Sequence, residues 1–300
     1  MTGHRLAWNL IGLALLAFTF SAHADSPVWK ISRGEHQLYL GGTIHLLGPA
    51  DYPLPPAFET AYDRAAVVVL ETDMQAIESP AFQQAMQQAL MYPDTTSLRD
   101  VLKPETWLLL EDRLADYGVP IESLERARPG MVVITLSMLE LKRLGVAGAG
   151  VDSIYAKRAQ SDRKTVAALE TPQEQIDFIR SMGEGNEDAL IIHTLEELED
   201  MPALMNAMKK AWREGDIGAF EAVALDPWKD EFSGLYRSLL MDRNLDWIPD
   251  IETMLTTREI ELVLVGALHL VGEDGLLAML KQRGCRVEQM PDRGSSLRGT

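Results

Sequence analysis

Cysteine is almost absent from this chain, with Cys285 the one example in 300 residues. One thiol cannot form an internal disulfide, and zinc sites built from several thiolates are excluded by the same count. Stability must therefore come from an ordinary hydrophobic core. With 46% hydrophobic residues, a chain of this length can build that core in one large or two small domains.

Positive charge is also scarce. Lysine and arginine total 28 against 45 aspartates and glutamates, which gives a formal net charge of −17. So acidic a chain is a poor partner for nucleic acid and for an anionic membrane surface. It is compatible with a divalent cation as ligand, although surface acidity alone specifies no site.

The one long uncharged apolar run is Leu6 to Phe20, and it lies at the N-terminus. Arg5 precedes it, and the small residues of Ser21-Ala22-His23-Ala24 follow it. This order is typical of a secretory signal peptide cleaved after Ala24, and the run is shorter than the ~20 residues of a membrane span. No cysteine near the cleavage point could carry a lipid. We therefore expect an exported mature chain, periplasmic or secreted, without a stable membrane anchor.

Hydrophobic periodicity predicts an α/β (α+β) fold. Two strands around the turn "GEH" predict a hairpin, and further apolar runs predict strands at Val67–Leu70, Thr165–Leu169, Glu261–Gly266 and Cys285–Gln289. Between about residues 78 and 258 the pattern is mainly helical. We expect a single domain over residues 25–300, in which the N- and C-terminal segments form a mixed sheet and the helical tract is a large insertion.

Two histidines occur in matching G-x-x-H settings, "GTIH" at Gly42–His45 and "GALH" at Gly266–His269. Each follows a strand-like run, and the end of a strand is where α/β sheets place ligands. The glycine permits close approach of another group. The alternative is two satisfied core histidines. The remaining mature histidines, His36 in the hairpin turn and His193 on the acidic helix "HTLEELED", are predicted to be structural and to face solvent.

Glu71 ends the apolar run "AAVVVLE". Burying a carboxylate is costly unless a cation or hydrogen-bond donors meet it. If the three strand ends are neighbours, His45, His269 and Glu71 offer two nitrogens and one oxygen, a donor set that suits a catalytic divalent metal with an open position for water. The alternative is an acidic residue that simply ends a strand.

Other hydrolase signatures are missing. The chain has no H-E-x-x-H helix of a zincin and no G-x-S-x-G nucleophile elbow, and its single cysteine removes the usual thiol alternative.

Several segments together resemble the TraB/GumN family, which includes the Tiki metalloproteases. They are, in order, "YLGGTIHLL", "VVVLETD", "GAGVDSIYAKRAQSDRKTVAALETPQEQ", "DRN" and "LVLVGALHLVGEDGLLAMLKQRGCRVEQM". The resemblance spans almost the whole mature chain. It implies a metal-dependent hydrolytic site to which His45, Glu71 and His269 contribute, with manganese or cobalt as the metal and zinc as a further candidate. It also points to Arg243, Asp152, Glu170 and Gln175 as supporting polar positions.

Individual roles stay open at this stage. Glu71 could ligate the metal or accept the proton of the attacking water, and Arg243 could stabilise an anionic intermediate or a substrate carboxylate. Arg243 could equally pair with Asp242 or Asp246. Asp152 is placed to cap a helix or to support the site. Glu170 could orient a ligand histidine or join the metal.

The leading hypothesis is an exported metal-dependent hydrolase, a peptidase that acts on peptide or protein substrates. One alternative is a non-catalytic scaffold that binds a peptide or small ligand. Another is a metal or haem carrier that uses the same histidines but has no positioned base. Metal content distinguishes the scaffold from the other two.

Overall fold

The computed structural model describes residues 25–226, residue 229 and residues 233–292; the predicted leader lies outside these residues. The strands are β1 Asp25–Arg33, β2 His36–Thr43, β3 Leu46–Leu47, β4 Val67–Leu70, β5 Gly148–Ala149, β6 Thr165–Ala168, β7 Glu261–Gly266 and β8 Arg286–Pro291. The α-helices are α1 Pro56–Arg64, α2 Met74–Ile77, α3 Pro80–Ala89, α4 Leu98–Val101, α5 Pro104–Asp116, α6 Pro129–Arg143, α7 Val151–Asp162, α8 Pro172–Ser181, α9 Glu187–Glu214, α10 Ile217–Ala224, α11 Ser233–Tyr236, α12 Asp242–Met254 and α13 Leu276–Gln282.

Six strands form one mixed sheet in the order β6-β4-β7-β2-β1-β8. The hairpin β1-β2 is antiparallel, as the sequence predicted, and β8 pairs antiparallel with β1. The pairs β2-β7, β7-β4 and β4-β6 are all parallel. The α/β class and a sheet built from both chain ends are confirmed, and β6 from the middle of the chain adds the edge next to β4.

Burial explains why these strands are apolar along their whole length. All six residues from Leu38 to Thr43 are buried, as are five of the six residues of β7. Strands of a parallel sheet are covered on both faces, so their sequences are continuous apolar runs without polar alternation. Because parallel strands point the same way, the carboxyl ends of β6, β4, β7 and β2 meet at one edge of the sheet.

Helices α4, α5 and α6 and the N-terminal part of α9 have a hydrophobic core of their own. Leu110 of α5, Leu136 of α6 and Ile191 of α9 are fully buried in it. The C-terminal part of α9 reaches the sheet, where Trp212 Nε1 donates to the carbonyl of Gly42 at 2.7 Å. In the described part of the chain no helix combines the length and the hydropathy that a membrane span requires.

In the acidic stretch "HTLEELED", Glu196, Glu199 and Asp200 are exposed, as expected of a solvated helical face, but His193 is not. His193 is only 15% exposed in its side chain and lies 3.2 Å from the Glu197 carboxylate one helical turn on. Thr194, Leu195 and Leu198 of the same stretch are buried. The prediction that His193 faces solvent was therefore wrong, because this part of α9 packs against α5 and α6. His36 has a structural contact as expected, between Nδ1 and the Thr257 carbonyl.

The segment that follows β2 is hydrogen-bonded to the segment that leads into α7. Strands β3 and β5 pair antiparallel, and Val151 N–H donates to the Ile44 carbonyl at 3.2 Å. Between them Gly150 lies directly against the carbonyl groups of Ile44 and His45. The absence of a side chain at Gly150 therefore sets how closely His45 and the first turn of α7 approach each other.

We expect Gly150→Ala to lower the free energy of unfolding by about 1–3 kcal/mol, because the added methyl group overlaps these carbonyls and must displace the backbone. Urea unfolding followed by circular dichroism measures the change. Gly218→Ala is the matched control. Gly218 lies in α10, and a methyl group added there meets nothing closer than Asp216 Oδ1 at 3.8 Å. Equal stability of the two variants would contradict the packing argument.

Candidate active site

Four acidic or imidazole side chains follow the four parallel strands. Glu170 comes after β6, Glu71 after β4, His269 after β7 and His45 after β2. Three of them surround Gly266. A Cβ on Gly266 would lie 3.2 Å from Glu71 Oε1 and 3.6 Å from both His45 Nε2 and His269 Cδ2. The two imidazole rings therefore lie within twice that distance of each other, and the structure brings together the residues that the G-x-x-H motifs predicted.

His269 is held in one tautomer by Asn244. His269 Nδ1 lies 2.7 Å from Asn244 Oδ1, while Asn244 Nδ2 donates to the carbonyls of His269 at 3.2 Å and Asp274 at 2.8 Å. The amide nitrogen faces two acceptors, so the amide oxygen must face the ring. Because that oxygen only accepts, His269 Nδ1 carries the proton and Nε2 carries the lone pair.

The surroundings of His269 keep the ring neutral. The residue is 4% exposed, and its ring packs on Trp247 at 4.5 Å between centroids. Burial lowers the pKa of His269 to about 3. The charge of Glu71 raises this pKa, but the charges of Arg243 and His45 lower it further. At neutral pH Nε2 is therefore a ready acceptor or metal ligand.

His45 is in the opposite state. Its side chain is 61% exposed, and Nδ1 lies 3.1 Å from Asp152 Oδ2. Crowding by protein atoms lowers the pKa of His45, but the hydrogen bond to Asp152 and the charges of Asp152 and Glu71 outweigh it and raise that pKa to about 9. At neutral pH this ring is cationic, with Nε2 directed toward Gly266.

The prediction that Asp152 caps α7 was wrong. Gly150 occupies the N-cap position and Asp152 lies in the first turn, where an acidic side chain also suits the positive end of the helix. The Asp152 carboxylate is therefore free to pair with His45.

Glu71 bonds both to the end of β7 and to Arg243. Oε1 accepts from Gly266 N–H at 2.5 Å, and Oε2 accepts from Arg243 Nη2 at 2.7 Å. Burial raises the pKa of Glu71, but the charge that His269 acquires at low pH, the charges of Arg243 and His45 and the Gly266 N–H outweigh burial and lower that pKa to about 2. Glu71 is thus an anion at any physiological pH.

Arg243 connects three of the four strand ends. Its Nε and Nη2 donate to the two oxygens of Glu170 at 2.9 and 2.7 Å. Nη2 also donates to Glu71, and Nη1 lies 3.1 Å from His269 Nε2 and 3.3 Å from the Leu239 carbonyl. A guanidinium has five N–H donors, and these contacts engage all of them. The alternative pairing with Asp242 or Asp246 was wrong, because Asp242 instead lies 3.3 Å from Arg237.

Gln175 and Trp247 complete the support of Arg243. Gln175 Nε2 donates to Glu170 Oε1 at 3.1 Å, which holds that carboxylate toward the guanidinium. The guanidinium carbon lies 4.7 Å from the ring centroid of Trp247, a cation–π geometry. Sequence reasoning missed Asn244 and Trp247. The i, i+4 spacing of Arg243 and Trp247 on α12 placed them on one helix face, but nothing in the sequence said what that face touches.

An open cleft of about 390 Å³ leads to the site. Its polar lining residues include His45, Glu71, Asp152 and Gln175, and its apolar lining residues include Leu46, Met74, Ile77 and Met138. Arg243 and His269 contact Glu71 but do not themselves line the cleft. Three polar atoms of cleft residues are buried without a hydrogen-bond partner: Thr43 Oγ1, Thr72 Oγ1 and Asp152 Oδ1. Buried polar atoms are normally paired, so these mark a wall suited to further polar contacts.

Within residues 25–226, 229 and 233–292, no three histidine, cysteine or acidic side chains are arranged to hold a metal ion. The hydrogen bonds give the reason: Glu71 is turned to Gly266 and Arg243, and the Arg243 guanidinium lies against His269 Nε2.

Comparisons with known proteins agree on one family. The model of the TraB/PrgY/gumN family matches residues 27–289. The chain is also similar to the uncharacterized protein YbaP of Escherichia coli strain K12 and to YbaP of Shigella flexneri. In each case 23% of 249 aligned residues are identical, and the alignment covers 83% of this chain and 89% of the relative. No solved structure matches the chain.

We expect Arg243→Met to lower the free energy of unfolding by about 3–5 kcal/mol, since it leaves two largely buried carboxylates without a cation. Arg237→Met is the control: its ion pair with Asp242 is exposed and should contribute about 1 kcal/mol or less. Urea unfolding at neutral pH measures both. Adding Glu71→Gln and Glu170→Gln to the Arg243 variant should restore much of the loss; failure to do so would contradict charge imbalance as its cause.

Proposed function

The chain belongs to the TraB/PrgY/gumN family, and from this membership and the geometry of the four strand ends we propose that it is an exported metal-dependent hydrolase, a peptidase that cleaves peptide or protein substrates. The observation that carries the proposal is the meeting of His45, Glu71 and His269 around Gly266, where a side chain other than hydrogen would intrude among them.

The donor chemistry of these residues fits a divalent cation. His269 offers a lone pair at Nε2 because Asn244 fixes the proton on Nδ1. His45 has Nε2 free of the Asp152 contact, which uses Nδ1, and must release a proton before it can ligate. Glu71 supplies an anionic oxygen. Two imidazoles and a carboxylate suit manganese, cobalt or zinc, and outer partners that orient each histidine are typical of metal sites.

Arg243 is the residue that must change partners. Its contacts with Glu71 and His269 involve one Nη–H each, whereas its contacts with Glu170 involve Nε and Nη2. We propose that Glu170 would retain the guanidinium if Glu71 and His269 held a cation. The Nη–H groups of Arg243 that are now bonded to Glu71 and His269 could then donate to the reacting carbonyl and stabilise its developing negative charge.

A divalent cation at this position would make water a better nucleophile at neutral pH and polarise the scissile carbonyl. Glu71 supplies an anionic oxygen that can ligate the cation or accept the proton of the attacking water. Asp152 orients His45, and Gln175 orients Glu170. The open cleft is lined by both polar and apolar side chains, which suits a peptide better than a small polar ligand.

We expect His45→Gln and His269→Gln each to weaken the binding of manganese, cobalt or zinc at least about 100-fold, because each removes a nitrogen ligand while leaving a side chain of similar size. Isothermal titration of chelator-treated protein measures the affinity. The control is His36→Gln, since His36 is the first residue of β2 and its ring contacts the Thr257 carbonyl, away from the strand ends of the site. The same variants and Glu71→Gln are then assayed for fragments released from β-casein, with an expected loss of about 10²-fold or more for Glu71→Gln.

Absence of divalent-ion binding by the wild-type protein would refute the proposal, as would wild-type behaviour of all three site variants. A non-catalytic ligand-binding scaffold would then be the better account. Metal binding without any hydrolysis would instead favour the carrier.

Export has a separate test. We expect protein recovered from the periplasmic fraction or the medium of a bacterial host to begin at or near Asp25, as read by N-terminal sequencing, because the leader is cleaved after Ala24. Recovery of the intact leader on cytoplasmic protein would contradict export.

A further inference from the structure

Strand β6 is an open edge of the sheet. It pairs with β4 on one side, and no strand among the residues that the structure describes pairs with it on the other. All four of its residues, Thr165 to Ala168, are exposed, and Val166 keeps 42% of its surface in contact with solvent. An exposed edge presents unpaired backbone groups to any other extended chain.

The two edges of this sheet differ in protection. β8 at the far edge carries the ion pair between Arg286 and Glu288 and ends at Pro291, features that discourage pairing with another strand. β6 reads Thr-Val-Ala-Ala, without proline or charge. The neighbouring Lys164 gives no protection, because its Nζ donates inward to the carbonyls of Tyr62 and Ala65 at 2.5 and 2.7 Å.

A groove of about 220 Å³ lies between β6, helix α7 and the segment around α2, and its lining includes the charged residues Asp73, Glu78 and Lys157. Val166, Ala167 and Ala168 all line it, so the groove follows the strand along three consecutive residues. Leu70, Met74 and Ser153 line both this groove and the cleft of the candidate site. The groove therefore adjoins the cleft at the end of β4, and a chain lying against β6 would reach the cleft there.

We propose that β6 binds an extended peptide segment by strand addition, and that the groove leads this segment into the cleft. The inference rests on the proposed peptidase function, because it names the conformation in which the substrate binds. Backbone groups of β6 supply affinity regardless of side chains, and the apolar groove residues Leu70, Met74 and Ala156 select apolar side chains.

The alternating direction of the backbone N–H groups along β6 identifies the residues that can bind an added strand. Leu169 N–H donates to the Leu70 carbonyl at 3.0 Å, toward β4. Successive residues of a strand point their N–H groups to opposite sides, so Ala167 also faces β4 while Val166 and Ala168 face the open edge. Strand addition therefore uses the backbone of Val166 and Ala168.

The first experiment uses wild-type protein and a fluorescein-labelled unstructured peptide of valine, serine and alanine. Single N-methyl groups are placed at successive backbone positions, and binding is measured by fluorescence anisotropy. We expect an alternating pattern: methylation at positions of one parity weakens binding about tenfold, and at the other parity about twofold or less, because only alternate N–H groups face β6. No binding, or a loss without alternation, would overturn the proposal.

The second experiment removes the donor from the protein. Ala168→Pro deletes an outward N–H and keeps the ladder to β4, so it should weaken peptide binding about tenfold while retaining the urea midpoint and metal affinity of wild type. Val166→Thr is the matched control: it keeps the backbone donor and the side-chain shape, and should bind within about twofold of wild type. If Ala168→Pro does not fold, the methylation scan decides by itself.

Failure of this inference is distinguishable from failure of the peptidase proposal. Glu71→Gln should bind the labelled peptide like wild type while losing hydrolysis, because Glu71 lies at the strand ends and not on the β6 edge. If the protein hydrolyses peptides but the N-methylation scan shows no alternating pattern, the peptidase proposal stands and strand addition is refuted. A wild-type dimer, seen by sedimentation and broken by Ala168→Pro, would mean that β6 pairs with a second copy and would also overturn the proposal.

Discussion

The guanidinium of Arg243 balances two carboxylates that come from different parts of the chain. Glu71 and Glu170 follow neighbouring parallel strands, and both side chains are mostly withdrawn from water. Carboxylates so placed are stable only with a cation beside them. Since Arg243 also contacts His269, this one side chain, carried on α12, links the ends of β6, β4 and β7. The folding of the sheet and the assembly of the site therefore satisfy the same charge requirement.

The two histidines have matching neighbours in the sequence, but they differ in burial and in protonation state. His269 is enclosed between Asn244 and Trp247 and is neutral, with its lone pair directed at Arg243. His45 stands at the open cleft beside Asp152 and is cationic. Each G-x-x-H motif brings its histidine just past a buried parallel strand, but the partner from another element decides the protonation state. The repeated motif thus determines where the two histidines lie, and residues of the surrounding helices determine whether each ring is charged.

This division also explains what could be predicted from the sequence. Apolar runs such as Val67–Leu70 identify buried strands, and the rule that parallel strands end at one edge brings Glu71, His45 and His269 together. The partners of Arg243 were beyond that reasoning, because they depend on where α12 docks against the sheet, a contact between segments distant in sequence. Asp152 shows a subtler limit: an acidic residue near a helix start suits both a cap and a first-turn position, and only the backbone at Gly150 distinguishes them.

β6 connects the two proposals physically. Its outer edge is open along the groove, and the residue two positions past its end, Glu170, accepts two hydrogen bonds from Arg243. A chain added to β6 would therefore lie against the same element that leads to Glu170, the residue proposed to keep its contact with Arg243. Sites held by strands are positioned more tightly than sites held by loops. Because β6 is fixed to β4 by its inward N–H groups, the edge that would align a peptide and the carboxylate that retains the guanidinium belong to one rigid ladder.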